Sequence, residues 1–494
     1  MEDGAKASPP RPARPEVDVP TLERRLANFR ASLRPPPTRP ADVGTDAADR
    51  LLDARERTDR LAAALDAEAI RTPDGAILRI EPPRRHIPID RARLARLPGQ
   101  PRADTVLVCL DTETTGLATA AGTLAFLVGL GWWEGDWFRQ VQLVLPDHAD
   151  EPAMLRALAD LLPPDAWLVT YNGRGFDWPL LVTRYRMAGR PAPPMAGHLD
   201  LLPLVRRIFR HRLTDARLRT VELSLLGVRR IGDVEGWEIP GRYFDVLRGG
   251  SPTVLVDVVR HNDEDVRSLA RLLVEFERGL GDDDARRRAD PGDLAGLGRA
   301  FARERRLDDA LDCLELAVCR VGAAGPEPPA TDEAPWWAPG AAADFGGPPR
   351  RARPPASPQP IVARWTEERL LVERAHLLRR LGRVRDAADA WFALATGHSR
   401  LAASAAVELA KLCEHHLGDL PAAIAAVERG WQILERRRRL GRPEPGLEAD
   451  LVRRSLRLRR RRARIAALRP AGRDRATGSQ ARRSGFGMRA SETA

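Results

Sequence analysis

At 494 residues the chain is long for one core, and its 43% hydrophobic residues are enough to bury two or three folded units. Four scattered cysteines, Cys109, Cys313, Cys319 and Cys413, include no C-x-x-C pair and no histidine at zinc-ligand spacing, which argues against a disulfide framework or structural zinc and fits a reducing compartment. The net charge of +11 is concentrated at one end: residues 431–494 hold nineteen arginines against six acids, a local balance of +13, and the remainder is slightly acidic.

The opening MEDGAKASPPRPARPEVDVP lacks the apolar run of a secretory signal, and no stretch reaches the ~20 apolar residues a membrane helix needs. We therefore expect a soluble cytoplasmic protein with no membrane partner. Residues 1–45, rich in Pro, Arg and Ala, read as a disordered leader. Leucines at helical spacing from Ala47 to about Glu68 predict an amphipathic helix, which opens a helical N-terminal extension over 46–102. Over 103–280, apolar runs alternate with helical patterns. Strands are expected at Val106–Leu110, Thr123–Trp133, Phe138–Leu145 and Trp167–Tyr171, and helices at Pro152–Leu162 and Phe176–Met187. That order implies a mixed α/β sheet.

A different region begins near Pro291. Residues 291–320 read as a first helical hairpin with a polar break at Glu304 to Arg306, and the Pro/Ala/Gly-rich 321–362, with Trp336 and Trp337, as a linker. Residues 363–469 are helical, with similar units at Arg369–Ala395 and Ala402–Gly430 whose breaks, at Gly382 and Gly418, lie 36 positions apart. A basic disordered tail follows over 470–494. Arg436 to Arg439 and Arg459 to Arg462 are the densest basic runs; they suit either phosphate neutralisation or a solvated helix face.

The chemistry-bearing stretch is VLVCLDTETTG, Val106 to Gly116, an apolar run that ends on Asp111 and Glu113. Residues i and i+2 of a strand share a face, so both acids leave the sheet together while Thr112 turns the other way. Their repulsion is tolerated where solvent or a divalent cation separates them. Downstream, WLVTYNGRGFDWPLL carries a strand into a turn suited to Asn172, Gly173 and Gly175, and then a helix with Asp177 in its first turn. The helix dipole alone would favour an acid there. In the helix expected over Val254 to Glu275, His261 and Asp265 are four residues apart and share a face. Weaker candidates are His198 and Asp200, beside a cleft or simply in a strand or turn, and Trp132, Trp133 and Trp137, for base stacking or sheet packing. The pair Arg229-Arg230 before Asp233 suits a phosphate contact or a surface salt bridge.

Taken in order, D-T-E at Asp111 to Glu113, Y-N-G-x-x-F-D at Tyr171 to Asp177 and H-x-x-x-D at His261 to Asp265 resemble the DEDD exonuclease group of the ribonuclease H-like superfamily, and specifically its YprB-like proteins. His198-Leu-Asp200-Leu-Leu, Val221-Glu222-x-x-Leu225-Leu226-Gly227 and Ile239-Pro240 fit the same pattern. The later helical units resemble a degenerate tetratricopeptide array, whose period is 34 residues. Ala387, Ala388 and Trp391 match after the first break, and Ala422, Ala423 and Ala426 after the second.

These resemblances imply an α/β ribonuclease H-like mixed sheet flanked by helices, plus an all-α domain of tetratricopeptide-like helical hairpins. The implied activity is metal-dependent 3′–5′ hydrolysis of single-stranded or frayed nucleic acid, DNA or RNA, with two Mg²⁺ or Mn²⁺ ions. Asp111 would bridge both ions, Glu113 and Asp265 would complete one, and Asp177 would hold the other. His261 is the candidate general base, although its four-residue spacing to Asp265 is that of the Tyr-bearing members, one position short of the usual His spacing. Thr112 and Asn172 are candidate substrate contacts, and the helical C-terminal region is a candidate protein-binding surface. Two competing readings are a catalytically inactive ribonuclease H-like/tetratricopeptide scaffold and an endonuclease or resolvase.

Overall fold

A computed structural model describes residues 47–116, 122–323, 360–397 and 401–468. The expected leader (1–45), Trp336, Trp337 and nearly all of the linker, and the basic tail (470–494) lie outside the described residues. The chain divides into two compact units, Met1–Leu370 and Leu371–Ala494.

In the first unit the described strands form one eight-stranded sheet: β1 (Glu68–Thr72), β2 (Gly75–Ile80), β3 (Arg85–His86), β4 (Leu107–Thr114), β5 (Ala125–Glu134), β6 (Trp137–Val144), β7 (Trp167–Thr170) and β8 (Gly197–Asp200). Their order is β1-β2-β6-β5-β4-β7-β8, with β3 beside β6. The pairs from β1 to β4 are antiparallel, whereas β4-β7 and β7-β8 are parallel, so the sheet is mixed as expected. Gly135, at φ 62°, makes the two-residue turn between β5 and β6.

Two sequence expectations need correction. The segment 46–102 is not helical throughout: helix α1 (Ala47–Leu65) is followed by the β1-β2 hairpin, which joins the sheet through Leu78↔Val144. The cause is the turn Pro73-Asp74-Gly75, with Gly75 at φ 128°, flanked by short alternating runs that a search for helical spacing passes over. Strand β4 also outlasts its apolar run. Asp111, Thr112 and Glu113 still pair with Gly129, Val128 and Leu127, and Thr114, expected in the turn, pairs with Ala125 after a bulge.

One face of the sheet buries Val108, Leu110, Val128 and Leu130 against Leu155 and Leu158 of α2 (Glu151–Leu161), Leu180, Leu181 and Tyr185 of α3 (Asp177–Met187), and Tyr243, which lies in a later helix at Ile239–Leu247. Each such side chain contributes roughly 1.5–3 kcal/mol when fully buried. Helix α4 (Leu201–Ile208) follows β8, and the 25-residue helix α5 (Val256–Leu280) crosses the opposite face over β4, β5 and β6. Glycines let it approach: a Cβ on Gly129 would collide with Asn262 and stand 2.8 Å from Val266, and one on Gly131 would stand 2.9 Å from Val266. The pair α6 (Pro291–Arg303) and α7 (Leu307–Ala323) also belongs to this unit, with Gly296 pressed so close to Arg207 and Ile208 of α4 that a Cβ would lie 2.5 Å from the Ile208 backbone.

The second unit is helical: α8 (Val384–Thr396), α9 (Ala402–Leu412), α10 (Leu420–Arg439) and α11 (Pro445–Leu468). Alanines 403, 405, 406, 410, 423 and 426 are buried and allow close helix packing. Gly382 (φ 77°) precedes α8, and Gly418 (φ 67°) separates α9 and its short continuation from α10; at both turns the backbone takes the left-handed conformation. Among the described residues no helix is long and apolar enough to cross a membrane.

Candidate active site

The pairing of β4 with β7 reaches only Cys109↔Val169, after which β7 leads through Tyr171–Phe176 into α3 while β4 continues beside β5. This divergence opens a crevice at the carboxyl ends of the strands. Asp111 is paired with Gly129, and so faces α5 together with Glu113. Thr112 turns the other way and donates its hydroxyl to Asp177 Oδ1 at 2.5 Å, which fixes the first residue of α3 at the same sheet end.

Helix α5 closes the crevice. Asn262, fully buried, donates from Nδ2 to Asp111 Oδ2 (2.9 Å) and to the Asp111 carbonyl (3.3 Å), while its Oδ1 accepts from Gln142 Nε2 (2.9 Å). One helical position earlier, His261 Nδ1 lies 2.7 Å from Asp233 Oδ1, and its Nε2 lies 3.8 Å from Glu113 Oε1 and 3.7 Å from Asp265 Oδ2. Arg230, with a side chain only 6% exposed, donates to Asp265, to both oxygens of the fully buried Glu222 (Nε to Oε2, 2.8 Å) and to Asp233 (3.4 Å).

The electrostatics tie these groups together. Burial, followed by the charges of Asp265, Glu113 and Asp177, holds the Asp111 carboxyl well above the usual range; Asn262 opposes the shift. Glu113 is raised likewise by burial and then by Asp265 and Asp177, against the pull of Arg230. Asp177 is pushed up to about 6 by burial, with the Thr112 hydroxyl working against the shift. For Arg230 burial disfavours the charge, but Asp265 and Glu222 outweigh it and hold the guanidinium above its ordinary value. Asp233 stays low despite burial because His261 and Arg230 face it.

Asp111, Glu113, Asp177, His261 and Asp265 are thus brought to one end of the sheet, and Thr112 joins them through Asp177. Asn172 lies apart, exposed at φ 72° in the turn, where its N–H (2.8 Å) and that of Arg174 (3.3 Å) bind the Asp200 carboxylate. Asp200 also caps α4 through Leu202 N–H (3.1 Å), so it organises the turn. His198 Nε2 is 2.8 Å from the Thr170 hydroxyl, and burial lowers its pKa to about 4. Trp133 donates to the Ile87 carbonyl at 2.8 Å and packs edge-on to Phe138, Trp132 lies half-buried under Arg139, and Trp137 is 49% exposed. Arg230 departs from expectation: its partners Glu222 and Asp265 enclose it, so it makes neither a surface salt bridge nor an exposed phosphate contact. Asn262, Gln142, Glu222 and Asp233 were not singled out from sequence as site residues. The available signal was polarity in the wrong place, since Asn262 interrupts the buried stripe Val258, Val266 and Leu269 and Gln142 interrupts an apolar strand.

Four carboxylates, Asp177 buried and Asp111, Glu113 and Asp265 half-buried, with one guanidinium among them make a hard-oxygen donor set with excess negative charge, which suits a divalent cation. Among the described residues only His211, Asp290 and Asp293 bring three donor atoms within 4.8 Å of one another. A pair of ions ~3.5–4 Å apart distributes its donors over two shells, so a tight triple is not required of the four acids. The His211 cluster is better explained as a clip, because Asp293 takes Arg212 on both oxygens (3.2 and 2.8 Å) and Asp290 caps α6 through Gly292 N–H.

Residues 108–276, which contain all four acids and His261, match the family model of the RNase H superfamily. The chain is also 33% identical over 214 residues to the uncharacterized protein YprB of Bacillus subtilis (strain 168), a match covering 43% of this chain and 51% of that protein. The first unit thus holds a domain that matches the RNase H superfamily and is similar to YprB. This YprB-like domain bears out the family and fold expected from the three motifs. A shorter match, 31% identical over 138 residues, is to DNA polymerase 2 of Aeropyrum pernix, covering 23% of this chain and 16% of that enzyme. The chain spans about half the length of YprB and a smaller part of the polymerase.

Proposed function

We propose that the ribonuclease H-like domain is a nuclease, and more narrowly a metal-dependent 3′–5′ exonuclease of the DEDD type acting on single-stranded or frayed nucleic acid. The reading is carried by one observation: Asp111, Glu113, Asp177 and Asp265, contributed by three separate elements, share one neighbourhood in which Asp265 and Asp177 raise the proton affinity of both Asp111 and Glu113. The printed name of the Aeropyrum relative, a DNA polymerase, agrees with a polynucleotide substrate. Bound at these acids, a pair of Mg²⁺ or Mn²⁺ ions would lower the pKa of a water and stabilise the departing oxygen. In this reading Asp111 would serve both ions, Glu113 and Asp265 one, and Asp177 the other. Asn262 fixes the Asp111 carboxylate from the side, and Thr112 fixes Asp177. With its Nδ1 held by Asp233, His261 turns Nε2 toward Glu113 and Asp265, where it would serve as the general base toward a water.

Purified protein should shorten a 5′-labelled oligonucleotide with Mg²⁺ or Mn²⁺, should be silent in EDTA, and should lose activity by at least ~10²-fold in Asp111→Asn. Degradation in EDTA, or equal rates in the variant, would overturn the proposal. Circular strands left intact would favour the exonuclease over an endonuclease. The contact of Arg230 with Asp265 favours one second reading, an inactive platform in which a resident guanidinium stands where a cation would; such a protein would take up no divalent ion. For the second unit, the turns at Gly382 and Gly418 and the alanine-rich packing support a tetratricopeptide-like array that binds a protein partner.

A further inference from the structure

Helix α11 is anchored at one end and bare at the other. Leu451 packs at Gly430 of α10, close enough that a Cβ there would lie 3.0 Å away, and Leu458 is buried. Glu414 then binds Arg454 (2.7 Å) and Arg457 (2.6 Å), and its carbonyl accepts from Arg461 (3.1 Å). Beyond Leu458 every residue from 459 to 467 is exposed. Residues 451–468 hold eight arginines and no acid, and Arg459, Arg460, Arg462 and Arg464 make no ion pair among the described residues. At ~100° per residue these four spread over about 200° of the helix circumference, and Arg459 with Arg462 (i,i+3) and Arg460 with Arg464 (i,i+4) set like charges side by side, so the segment repels itself. Its exposed large apolar side chains, Val452, Leu456 and Ile465, do not line one face, Ile465 lying opposite Leu456, so they do not make the apolar face a membrane-surface helix needs, and the helix holds no aromatic residue for the core of a protein interface. Guanidinium forks over more than half of the circumference, with no aromatic anchor, match a polyphosphate chain.

We propose that Arg459–Arg464 of α11 is a docking surface for the phosphate backbone of single-stranded nucleic acid, separate from the four-acid crevice. The charge pattern carries the surface; the identity of the polymer rests on the nuclease reading. The test uses the full chain in EDTA, with binding of a 5′-fluorescent single-stranded 20-mer followed by anisotropy from 50 to 300 mM salt. Replacing Arg459, Arg460, Arg462 and Arg464 by Gln should weaken binding at least tenfold and make the slope of log affinity against log salt shallower by about 3, from ~0.7 per lost contact on a single strand. The fourfold Lys variant should keep most of the affinity, and Arg462→Gln with Arg464→Gln should give about half the slope change. With Mn²⁺, hydrolysis of the small ester bis-p-nitrophenyl phosphate should be unchanged in the fourfold Gln variant. An unaltered slope in that variant would overturn the proposal. So would displacement of the 20-mer by polyglutamate as readily as by unlabelled oligonucleotide, which would assign the surface to an acidic protein, or preferential binding to anionic vesicles. Tight, salt-dependent binding by a wild-type protein that hydrolyses neither substrate would sink the nuclease reading and support the docking surface.

Discussion

Asp177 shows what the site costs in the absence of metal. An Asp in the unfolded chain titrates near ~3.9, whereas in the fold this carboxyl is pushed up to about 6. A raised acid pKa adds stability below the unfolded value, and that contribution disappears as pH rises through the folded value. In EDTA the wild type should therefore lose roughly 2–3 kcal/mol from this group between pH ~4 and ~6.5, and Asp111 and Glu113 extend the loss upward. Denaturant unfolding at pH 4.5 and 7.5 checks this: Asp177→Asn, which cannot ionise, should gain stability relative to wild type as pH rises, and parallel pH slopes would contradict the assignment. Asn262 works in the opposite sense by meeting the Asp111 charge. Asn262→Ala should cost ~1–3 kcal/mol because the Gln142 amide loses a partner, and should weaken Mn²⁺ binding ~10–100-fold. The acids were legible because carboxylates at the end of an apolar strand have few explanations. Arg230 was not, because its partners Glu222 and Asp265 lie 8 and 35 positions away and only the folded chain joins them.

At the scale of elements, the site depends on how closely α5 lies on β5. Gly129 and Gly131 remove the side chains that would hold the helix away, and this brings Asn262 to Asp111 and His261 toward Glu113. Gly129→Ala should cost ~1–3 kcal/mol by overpacking and reduce hydrolysis with it. Gly122→Ala, whose added Cβ meets nothing within 4 Å, should change neither. Thermal unfolding and initial rates on the pair decide the point, and equal behaviour would remove the glycine pad from the account. The central strands and α5 were readable from apolar runs and helical spacing. The hairpin strands β1 and β2 were not, since they are short and largely half-buried, each carrying an arginine, Arg71 and Arg79, and their apolar alternation spans too few residues to stand out. Asp200 read equally as cleft or turn residue, and it is both: three backbone contacts make it a turn and cap, while its charge helps raise Asp177.

Over the whole molecule, the four acids and the basic helix belong to different compact units. A cation bound at the acids stabilises only the unit that holds them, by ~2.7 kcal/mol at a hundredfold excess over Kd. In scanning calorimetry Mn²⁺ should therefore raise the unfolding temperature of one transition by roughly 5–10 °C and leave that of the second unit in place. Equal shifts in both would contradict a site confined to the first. Composition foretold more than one folded unit and a basic end, but no periodicity could tell that the α6–α7 pair rests on α4, because that depends on close approaches at Gly296 and Gly292 and on the Arg212–Asp293 pair. The most direct test of the account is calorimetric titration of the metal-free protein with Mn²⁺. It predicts saturable uptake of two ions that Asp111→Asn and Asp265→Asn each diminish, and uptake that never saturates, or that both variants leave unchanged, would contradict it.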